Sequence, residues 1–507
     1  MVNKILTISD LSKKVEELKN SGLKVVQCHG AFDLLHPGHL KHFEAAKKFG
    51  DVLVVTLTED KHINKGPGRP IFNEDIRSET VAAIGIVDFV AINRHALALP
   101  AIKEIKPNFY VKGQEYEKMH EDITGGIYPE KEAIESVGGK LVFTHEPVFS
   151  SSKLINRHMG SEDGDLGKYL KEIREKYKLK DFNKFFDIIS EYEVTIIGDT
   201  ILDEYQFVNP IGKSSKSPTI TAKLLDYEMY GGGTLAVANH IADFVKKVNL
   251  ITTYGLNENG DYFDFIRKNL HPNVELKAIY TPDRPTTIKK RLVDKTFKHK
   301  LFEIIEIDDS PLEKHYTDQV IKEYESIKNH DLVIIADFGH GLMNSQMVNF
   351  VVGKKDFLAI NVQTNSANKG FNVVTKYPRC NYFSIDKEEA QLALHSKEES
   401  IENVMNSLLE SLNSDFGAIT LGVNGCLMGN KDGQHSTAPV LSNEVVDTIG
   451  AGDAFLSITS LLVKAGMPLE MVSFTGNAVG AMAVKILGNK DYIKKVPLLK
   501  YLKVILA

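Results

Sequence analysis

Cysteine is scarce in this chain of 507 residues, and the three cysteines, Cys28, Cys380 and Cys426, are far apart. An odd number of widely spaced cysteines supports neither a disulfide framework nor a zinc cluster. A reducing compartment, the cytoplasm, is therefore expected.

The chain also lacks long apolar runs and an excess of positive charge. Its first residues alternate charged and apolar side chains, without the apolar stretch of a signal sequence, and no apolar run is long enough to span a bilayer. The net charge of −6 gives no general attraction for nucleic acid or anionic lipid. We expect small phosphorylated ligands at focused sites, no nucleic acid and no membrane; a homo-oligomer is left open.

Length and pattern predict two α/β domains. Short apolar runs alternate with amphipathic stretches from Lys24 to about Thr144, and a second, larger series opens at Val194. Between them, residues 160–180 begin with a polar cluster and continue as a charged amphipathic helix. The predicted bounds are 1–160 for the first domain, 161–190 for a linker helix region and 191–507 for the second domain.

A histidine motif marks the first domain. The first strand ends at His29-Gly30, and the residues after it lead through His36-Pro37-Gly38-His39 into an amphipathic helix. A strand-to-helix turn presents unpaired N–H groups and the positive end of the helix dipole, which suit phosphate. Gly38 allows close approach of the backbone, and both histidines can donate hydrogen bonds as charge moves to a departing pyrophosphate.

This motif resembles the G-x-F-D-x-x-H-x-G-H signature of the nucleotidyltransferase superfamily, over roughly residues 24–157. The resemblance implies a Rossmann-like domain, and further segments are similar to the bifunctional heptose-phosphate enzyme of ADP-heptose synthesis. Catalytic roles are expected for His36, His39 and Lys112. Nucleotide contacts are expected for Gly30, Phe32, Gly38, Arg69, Ser150, Ser151 and Ser152.

A second motif lies near the end of the chain, where Asp447-Thr448-Ile449-Gly450-Ala451-Gly452-Asp453 precedes a helical stretch. Small residues at a helix start align N–H groups into an anion hole, and Asp453 lies where a carboxylate can take a proton from an acceptor hydroxyl. Phosphoryl transfer needs mainly positioning and charge neutralisation. The motif therefore predicts a phosphoryl-transfer site with Asp453 as the base.

The string resembles the signature of ribokinase-type (PfkB) sugar kinases, whose order residues 194–490 follow. The resemblance implies a ribokinase-like α/β domain. Nucleotide contacts are expected for Thr420, Gly422, Gly425, Gly450, Ala451, Gly452 and Asn477. Sugar contacts are expected for Asp199, Asp203, Gly232, Gly233, Lys289 and Arg291. Glu389 is expected to contribute to metal binding through the Mg²⁺-phosphate group.

Two departures from the heptose kinases affect this expectation. Ala236 stands where an asparagine is usual, and Asn361-Val362-Gln363 replaces D-P-K. These changes remove polar groups from the sugar side and alter the charge near the phosphates. A kinase domain that has lost its activity and only binds is therefore a second hypothesis.

The combined expectation is a bifunctional transferase. Its kinase would use ATP and Mg²⁺ on a sugar phosphate such as heptose 7-phosphate, and its other domain would join a sugar 1-phosphate to a nucleotide from ATP or CTP. The resembled enzyme has its kinase first, so this chain is predicted to have the reversed order. The alternative is a cytidylyltransferase for glycerol phosphate or another polyol phosphate, with a non-catalytic kinase-like domain.

Overall fold

The computed structural model describes residues 4–63, 69–117, 127–145, 165–297, 299–365, 368–442 and 444–506. The chain forms two compact units, 1–181 with 495–507, and 182–494. None of the helices in the described ranges has the length and apolar content that crossing a bilayer requires.

The first unit is built on a six-stranded parallel sheet with the order β1-β4-β3-β2-β5-β6. Its strands are β1 Ile5–Leu6, β2 Val25–Gly30, β3 Val52–Thr58, β4 Phe89–Asn93, β5 Phe109–Gly113 and β6 Lys140–Thr144. Its helices are α1 Ile8–Asn20, α2 Pro37–Lys47, α3 Glu74–Ala82, α4 Leu99–Ile105, α5 Ile127–Ser136, α6 Asp165–Lys176 and, from the chain end, α16 Lys495–Ile505. The predicted strand–helix alternation is confirmed.

The order of this sheet places the histidine motif. Strand β2 has β3 on one side and β5 on the other. The strands that follow β2 are first added on one side of it, as β3 and β4, and then on the other side, as β5 and β6, so the strand order reverses at β2. In open α/β sheets, ligands bind in the crevice outside the carboxyl ends of strands at such a switch point. The loop between β2 and α2, which carries the histidines, lies at this crevice.

The second unit has a nine-stranded sheet with the order β11-β10-β7-β14-β15-β16-β17-β18-β19. These strands are β7 Glu193–Gly198, β10 Lys247–Gly255, β11 Val274–Thr281, β14 Leu332–Asp337, β15 Leu358–Val362, β16 Tyr382–Asp386, β17 Phe416–Thr420, β18 Cys426–Asn430 and β19 His435–Ala438. Pairing is parallel from β11 to β17 and antiparallel beyond. The four central strands of this sheet have buried apolar runs, as a sheet covered on both faces requires.

A smaller sheet and the remaining helices complete this unit. The four-stranded sheet has the order β13-β12-β8-β9, with strands β8 Thr200–Lys213, β9 Ile220–Gly233, β12 Thr287–Asp294 and β13 Lys300–Glu306. The helices are α7 Leu179–Ile189, in which the boundary between units falls, α8 Thr234–Ala242, α9 Phe263–Lys268, α10 Lys314–Ser326, α11 Ser345–Gly353, α12 Lys387–Ala393, α13 Ile401–Ser411, α14 Ala451–Lys464 and α15 Leu469–Ala483.

The domain bounds predicted from the sequence stay a prediction, and the compact units differ from them at the chain end. Helix α16 was expected in the 191–507 domain, yet it belongs to the first unit. One face of α16 is apolar and buried. Arg174 Nε of α6 donates to Ile505 O of this helix at 2.9 Å. An amphipathic terminal helix packs where apolar surface is available, which sequence order alone does not reveal.

Candidate functional site

A cleft of about 720 Å³ opens in the second unit, where strands of both sheets end. Most of the residues predicted to bind nucleotide or sugar in this domain line it. They are Asp203, Gly233, Lys289, Arg291, Glu389, Thr420, Gly422, Gly425, Gly450, Ala451, Gly452, Asp453 and Asn477. Asp199 and Gly232 are the two predicted residues that do not belong to this lining.

Asp453 lies in the first turn of α14 and is 7% exposed. Burial and the nearby carboxylate of Asp203 raise the pKa of Asp453 to about 7. Gly450 precedes the helix with φ of +80°, and a Cβ there would lie 2.4 Å from Asn489 Oδ1. Glycine therefore lets the loop turn tightly, so that the helix N-terminus and the carboxylate face the same cleft.

A buried ion pair forms another wall of the cleft. Asp203 Oδ1 pairs with Arg291, and Asp203 Oδ2 accepts from Asn489 Nδ2 at 2.9 Å. Lys289, two residues before Arg291 on β12, also faces the cleft. Burial lowers the pKa of Lys289 below its usual value, while Asp203 acts in the opposite direction. This wall carries the charges that suit a phosphorylated, hydroxyl-rich ligand.

Asp199 supports a loop behind the cleft. Its Oδ2 accepts from Phe338 N at 3.2 Å and from His340 N at 3.3 Å, and its Oδ1 accepts from Leu342 N at 3.3 Å. Burial, followed by the neighbouring Asp337, raises the pKa of Asp199 to about 6. The structure therefore places the Asp199 carboxylate against backbone amides rather than on the cleft surface.

Gly232 is required for packing beside the ion pair. A Cβ at Gly232 would lie 2.3 Å from Asp203 Oδ2. The next residue, Gly233, lines the cleft and has φ of +56°, where side chains are strained. The two glycines thus let β9 end close to Asp203.

Glu389 is held by backbone groups. Its Oε1 accepts from Thr364 N at 3.0 Å, and its Oε2 accepts from Asp386 N at 2.9 Å in a capping box at the start of α12. Burial, with Asp386 adding to it, raises the pKa of Glu389 to about 8. Both carboxyl oxygens of Glu389 are thus engaged by backbone amides, and its expected role through Mg²⁺-phosphate stays a prediction.

Asn477, which is predicted to contact the nucleotide, lines the cleft, and its amide nitrogen is already engaged. Asn477 Nδ2 donates to Ser473 O at 3.1 Å and contacts Cys426 Sγ at 2.9 Å. Asn477 therefore lines the cleft with its amide nitrogen already bonded to other parts of the protein.

The departures noted in the sequence fall in different places. Ala236 is buried in α8 and does not belong to the lining of the cleft. Asn361 lines the cleft, and its Nδ2 donates to Ser384 O at 2.7 Å. Gln363 also lines it, and its Nε2 donates to Asp453 Oδ1 at 2.7 Å. The last contact gives Asp453, the predicted base, a polar partner that the sequence alone did not indicate.

In the first unit, His36 and His39 stack at the start of α2. Their ring centroids are 3.9 Å apart, with an interplanar angle of 18°. His36 is the N-cap residue, and its Nδ1 accepts from Gly38 N at 3.1 Å. An accepting Nδ1 leaves the proton of a neutral ring on Nε2, which makes that nitrogen a donor. The structure thus brings both histidines and Gly38 together.

Three predicted nucleotide contacts lie in or beside the core of this unit. Phe32 has φ of +45°, and its ring contacts the rings of His39 and Phe43. A Cβ at Gly30 would lie 3.1 Å from the Phe32 ring. Arg69 is 2% exposed and pairs with Asp33, so its first role in the structure is to hold the loop before α3.

Lys112 forms a buried ion pair that the sequence analysis missed. Its Nζ lies 2.8 Å from Glu130 Oε2 and 5.2 Å from the ring centroids of Tyr110 and Tyr116. Burial alone would disfavour the ammonium, but Glu130 and the two tyrosines keep the pKa of Lys112 well above its usual range. No signal in the sequence identifies Glu130, which is one acidic residue among several on α5.

The three serines, Ser150, Ser151 and Ser152, lie outside the described residues. Asn489 is a further cleft residue that the sequence does not indicate, and Gln363, which the sequence suggested only as a lost charge near the phosphates, lines the cleft as well. Both act through contacts with residues far along the chain, with Asp203 and Asp453 respectively.

Comparison with known proteins gives matches for both units. Residues 28–157 match the model described as Cytidylyltransferase-like. The chain is 39% identical over 139 residues to the Bifunctional protein HldE of Aliarcobacter butzleri, covering 27% of this chain and 29% of that protein. It is 36% identical over 160 residues to the Bifunctional protein HldE of Photobacterium profundum, covering 31% of this chain and 32% of that protein.

These matches therefore span less than a third of the HldE proteins. They give no position within those proteins, so they do not support calling the domain order of this chain reversed. Among solved structures, ribokinase from Thermotoga maritima matches with a TM-score of 0.49 and 18% identity, over 61% of this chain and 99% of that one.

The larger unit has the broadest match. Residues 193–493, more than half of the chain, match the model described as pfkB family carbohydrate kinase. This range contains the cleft, both sheets around it and the loop with Asp453. The chain thus belongs to the pfkB family of carbohydrate kinases, with a cytidylyltransferase-like domain preceding the kinase domain.

Proposed function

We propose that this protein is a bifunctional transferase of nucleotide-activated sugar synthesis. Its kinase domain phosphorylates a sugar phosphate, heptose 7-phosphate, at the anomeric hydroxyl with ATP. Its nucleotidyltransferase domain joins a sugar 1-phosphate to a nucleotide from ATP or CTP and releases pyrophosphate. The HldE relatives, which are named bifunctional, support this pairing.

The observation that carries the kinase proposal is the position of Asp453. It lies at the N-terminus of α14, in the same cleft as Lys289 and the Asp203–Arg291 pair. A carboxylate with a pKa of about 7 is suited to accept a proton near neutral pH. The helix N-terminus beside it suits the phosphates of the donor, and Mg²⁺ would arrive on those phosphates and neutralise their charge.

The second activity is supported by the stacked histidines at the crevice of the first sheet. Two imidazoles at a helix N-terminus provide hydrogen-bond donors where pyrophosphate would leave. The assigned roles of His36, His39 and Lys112, like those of the kinase residues, are part of this proposal.

The test is a phosphate-transfer assay with ATP, Mg²⁺ and a panel of sugar 7-phosphates and free sugars, read by product mass. A doubly phosphorylated heptose that is absent with Asp453→Ala supports the proposal. Pyrophosphate release with sugar 1-phosphates and either ATP or CTP tests the other domain. If no sugar is phosphorylated while glycerol phosphate or another polyol phosphate yields pyrophosphate with CTP, the alternative with a non-catalytic kinase-like domain replaces it.

A further inference from the structure

Gln363 contacts the carboxylate that the kinase proposal uses as its base. It follows β15, and its Nε2 donates to Asp453 Oδ1 at 2.7 Å. Among the described residues, no group donates a hydrogen bond to Asp453 Oδ2. The two oxygens of this carboxylate are therefore distinguished, because only Oδ1 accepts from a side chain of the described residues, and Asp453 itself lines the cleft.

The backbone of Gln363 is fixed on both sides. Its N donates to Asp337 O at 2.9 Å, and its O accepts from Asn372 Nδ2 at 3.1 Å. The following residue, Thr364, donates its N to Glu389 Oε1 at 3.0 Å. Because these bonds come from β14, from α12 and from the loop at Asn372, the backbone that carries the Gln363 amide is positioned before any ligand binds.

Charged groups from three elements face Asp453. They are Asp203 of β8, Lys289 of β12 and Glu389 of α12. Burial and Asp203 raise the pKa of Asp453, Glu389 has the same sign of charge, and Gln363 and Lys289 act to lower the pKa. Among these groups, Gln363 is the one that donates a hydrogen bond directly to the Asp453 carboxylate.

We propose that Gln363 is a positioning residue, which holds Asp453 Oδ1 so that Oδ2 points at the acceptor hydroxyl. This inference rests on the proposed kinase function. In the step, Asp453 Oδ2 takes the hydroxyl proton while the hydroxyl oxygen forms a bond to the γ-phosphorus of ATP. The bond from that phosphorus to the β,γ-bridging oxygen breaks, and its electron pair leaves on ADP.

The experiment compares pH profiles of kcat for three variants. Gln363→Met removes the donor, Gln363→Glu places a second carboxylate beside Asp453, and Gln363→Lys keeps a donor and adds positive charge. The matched control is Gln346→Met. Gln346 Nε2 donates to Asp318 Oδ1 at 2.8 Å, an amide-to-carboxylate bond of the same kind on the exposed surface.

Removing the donor should lower kcat about tenfold, with an unchanged KM for ATP. Since kcat requires ionised Asp453, its acid limb should move to higher pH in Gln363→Met and further in Gln363→Glu. In Gln363→Lys the limb should move to lower pH, and kcat should stay within about threefold of the wild-type value. Gln346→Met should match the wild-type protein.

Two results overturn the inference while the kinase proposal stands. One is a wild-type profile in Gln363→Met, and the other is a shift of Gln363→Lys in the same direction as Gln363→Glu. If the wild-type protein phosphorylates no sugar, the kinase proposal is wrong, and the positioning role is wrong with it. In that case ¹³C-carboxyl NMR titration tests the contact itself, and the Asp453 resonance is assigned by its loss in Asp453→Asn. An Asp453 resonance that titrates in Gln363→Glu as it does in the wild-type protein disproves the contact.

Discussion

Lys300 Nζ lies 2.6 Å from Asp447 Oδ1, so a strand of the four-stranded sheet is joined to the loop that leads to Asp453. Asp447 Oδ1 also accepts from Ile449 N at 3.1 Å within that loop. Its other oxygen, Oδ2, accepts from Tyr205 Oη and Gly488 N, both at 3.0 Å. A single buried carboxylate thus connects the loop to the smaller sheet through β8 and β13.

Replacing Lys300 with Met should loosen the loop that leads to Asp453 and lower kcat/KM of the proposed kinase reaction about fivefold. The size follows from one charge-assisted hydrogen bond, reduced because the Lys300 side chain is 36% exposed. Steady-state kinetics with ATP and the sugar phosphate would measure it. Lys290→Met is the control, since Lys290 Nζ lies 3.4 Å from Glu306 Oε2 in the same sheet. Equal losses in both variants would show that the sheet responds to any lost lysine.

Asp453→Asn should stabilise the protein above about pH 4 while it abolishes sugar phosphorylation. The pKa of Asp453 is raised to about 7 in the folded chain, so between about pH 4 and pH 7 the folded state keeps a proton that the unfolded chain releases. Stability therefore falls as the pH rises through this window, and asparagine removes that fall.

Thermal unfolding at pH 5 and pH 8 measures this difference. The variant should melt about 2 °C above wild type at pH 8 and by a smaller margin at pH 5. Asp264→Asn, at an exposed position on α9, controls for the loss of one surface charge. A margin that does not grow with pH would contradict the prediction.

The elements of the fold could be predicted from the sequence because their signals are local. Apolar runs predicted strands such as β3 and β14, and the small residues before Asp453 predicted a loop that leads into a helix. The long hairpin of β8 and β9 was missed. Its outer part exposes apolar side chains, with Ile211 at 68% and Ile220 at 77%. Apolar and polar residues there do not alternate between a buried and an exposed face, so the usual sequence pattern of a strand is absent.

The contacts that define the candidate site could not be predicted in the same way. Gln363 and Asp453 are 90 residues apart, and Lys300 and Asp447 are 147 residues apart. Such pairs are set by the order of strands in the sheets, which no local pattern encodes. Gln363 was accordingly interpreted as a lost charge near the phosphates, whereas the structure makes it a donor to the carboxylate of Asp453.

The buried pair of Lys112 and Glu130 should be strongly coupled in stability. Removing either partner alone leaves one charge buried and should cost about 3 kcal/mol, whereas replacing both should cost less than the sum. The variants are Lys112→Met, Glu130→Gln and their combination, compared by denaturant unfolding of the first unit. Lys131→Met and Glu135→Gln, which alter an exposed pair on α5 at 3.9 Å, are the matched control cycle. Additive losses at Lys112 and Glu130 would argue against the coupling.

Substitution of His36 can separate its role as a helix cap from its role in nucleotidyl transfer. Asparagine is a favoured N-cap residue, so His36→Asn should keep the stability of α2, while His36→Ala should lose about 1 kcal/mol. Both variants lack the imidazole and should lower nucleotidyl transfer by about 10² to 10³. Pyrophosphate release measures the activity, and the kinase reaction of the same samples reports on the integrity of the protein. If His36→Asn keeps full nucleotidyl transfer, His36 serves only as a cap, and the chemistry rests on His39 and Lys112.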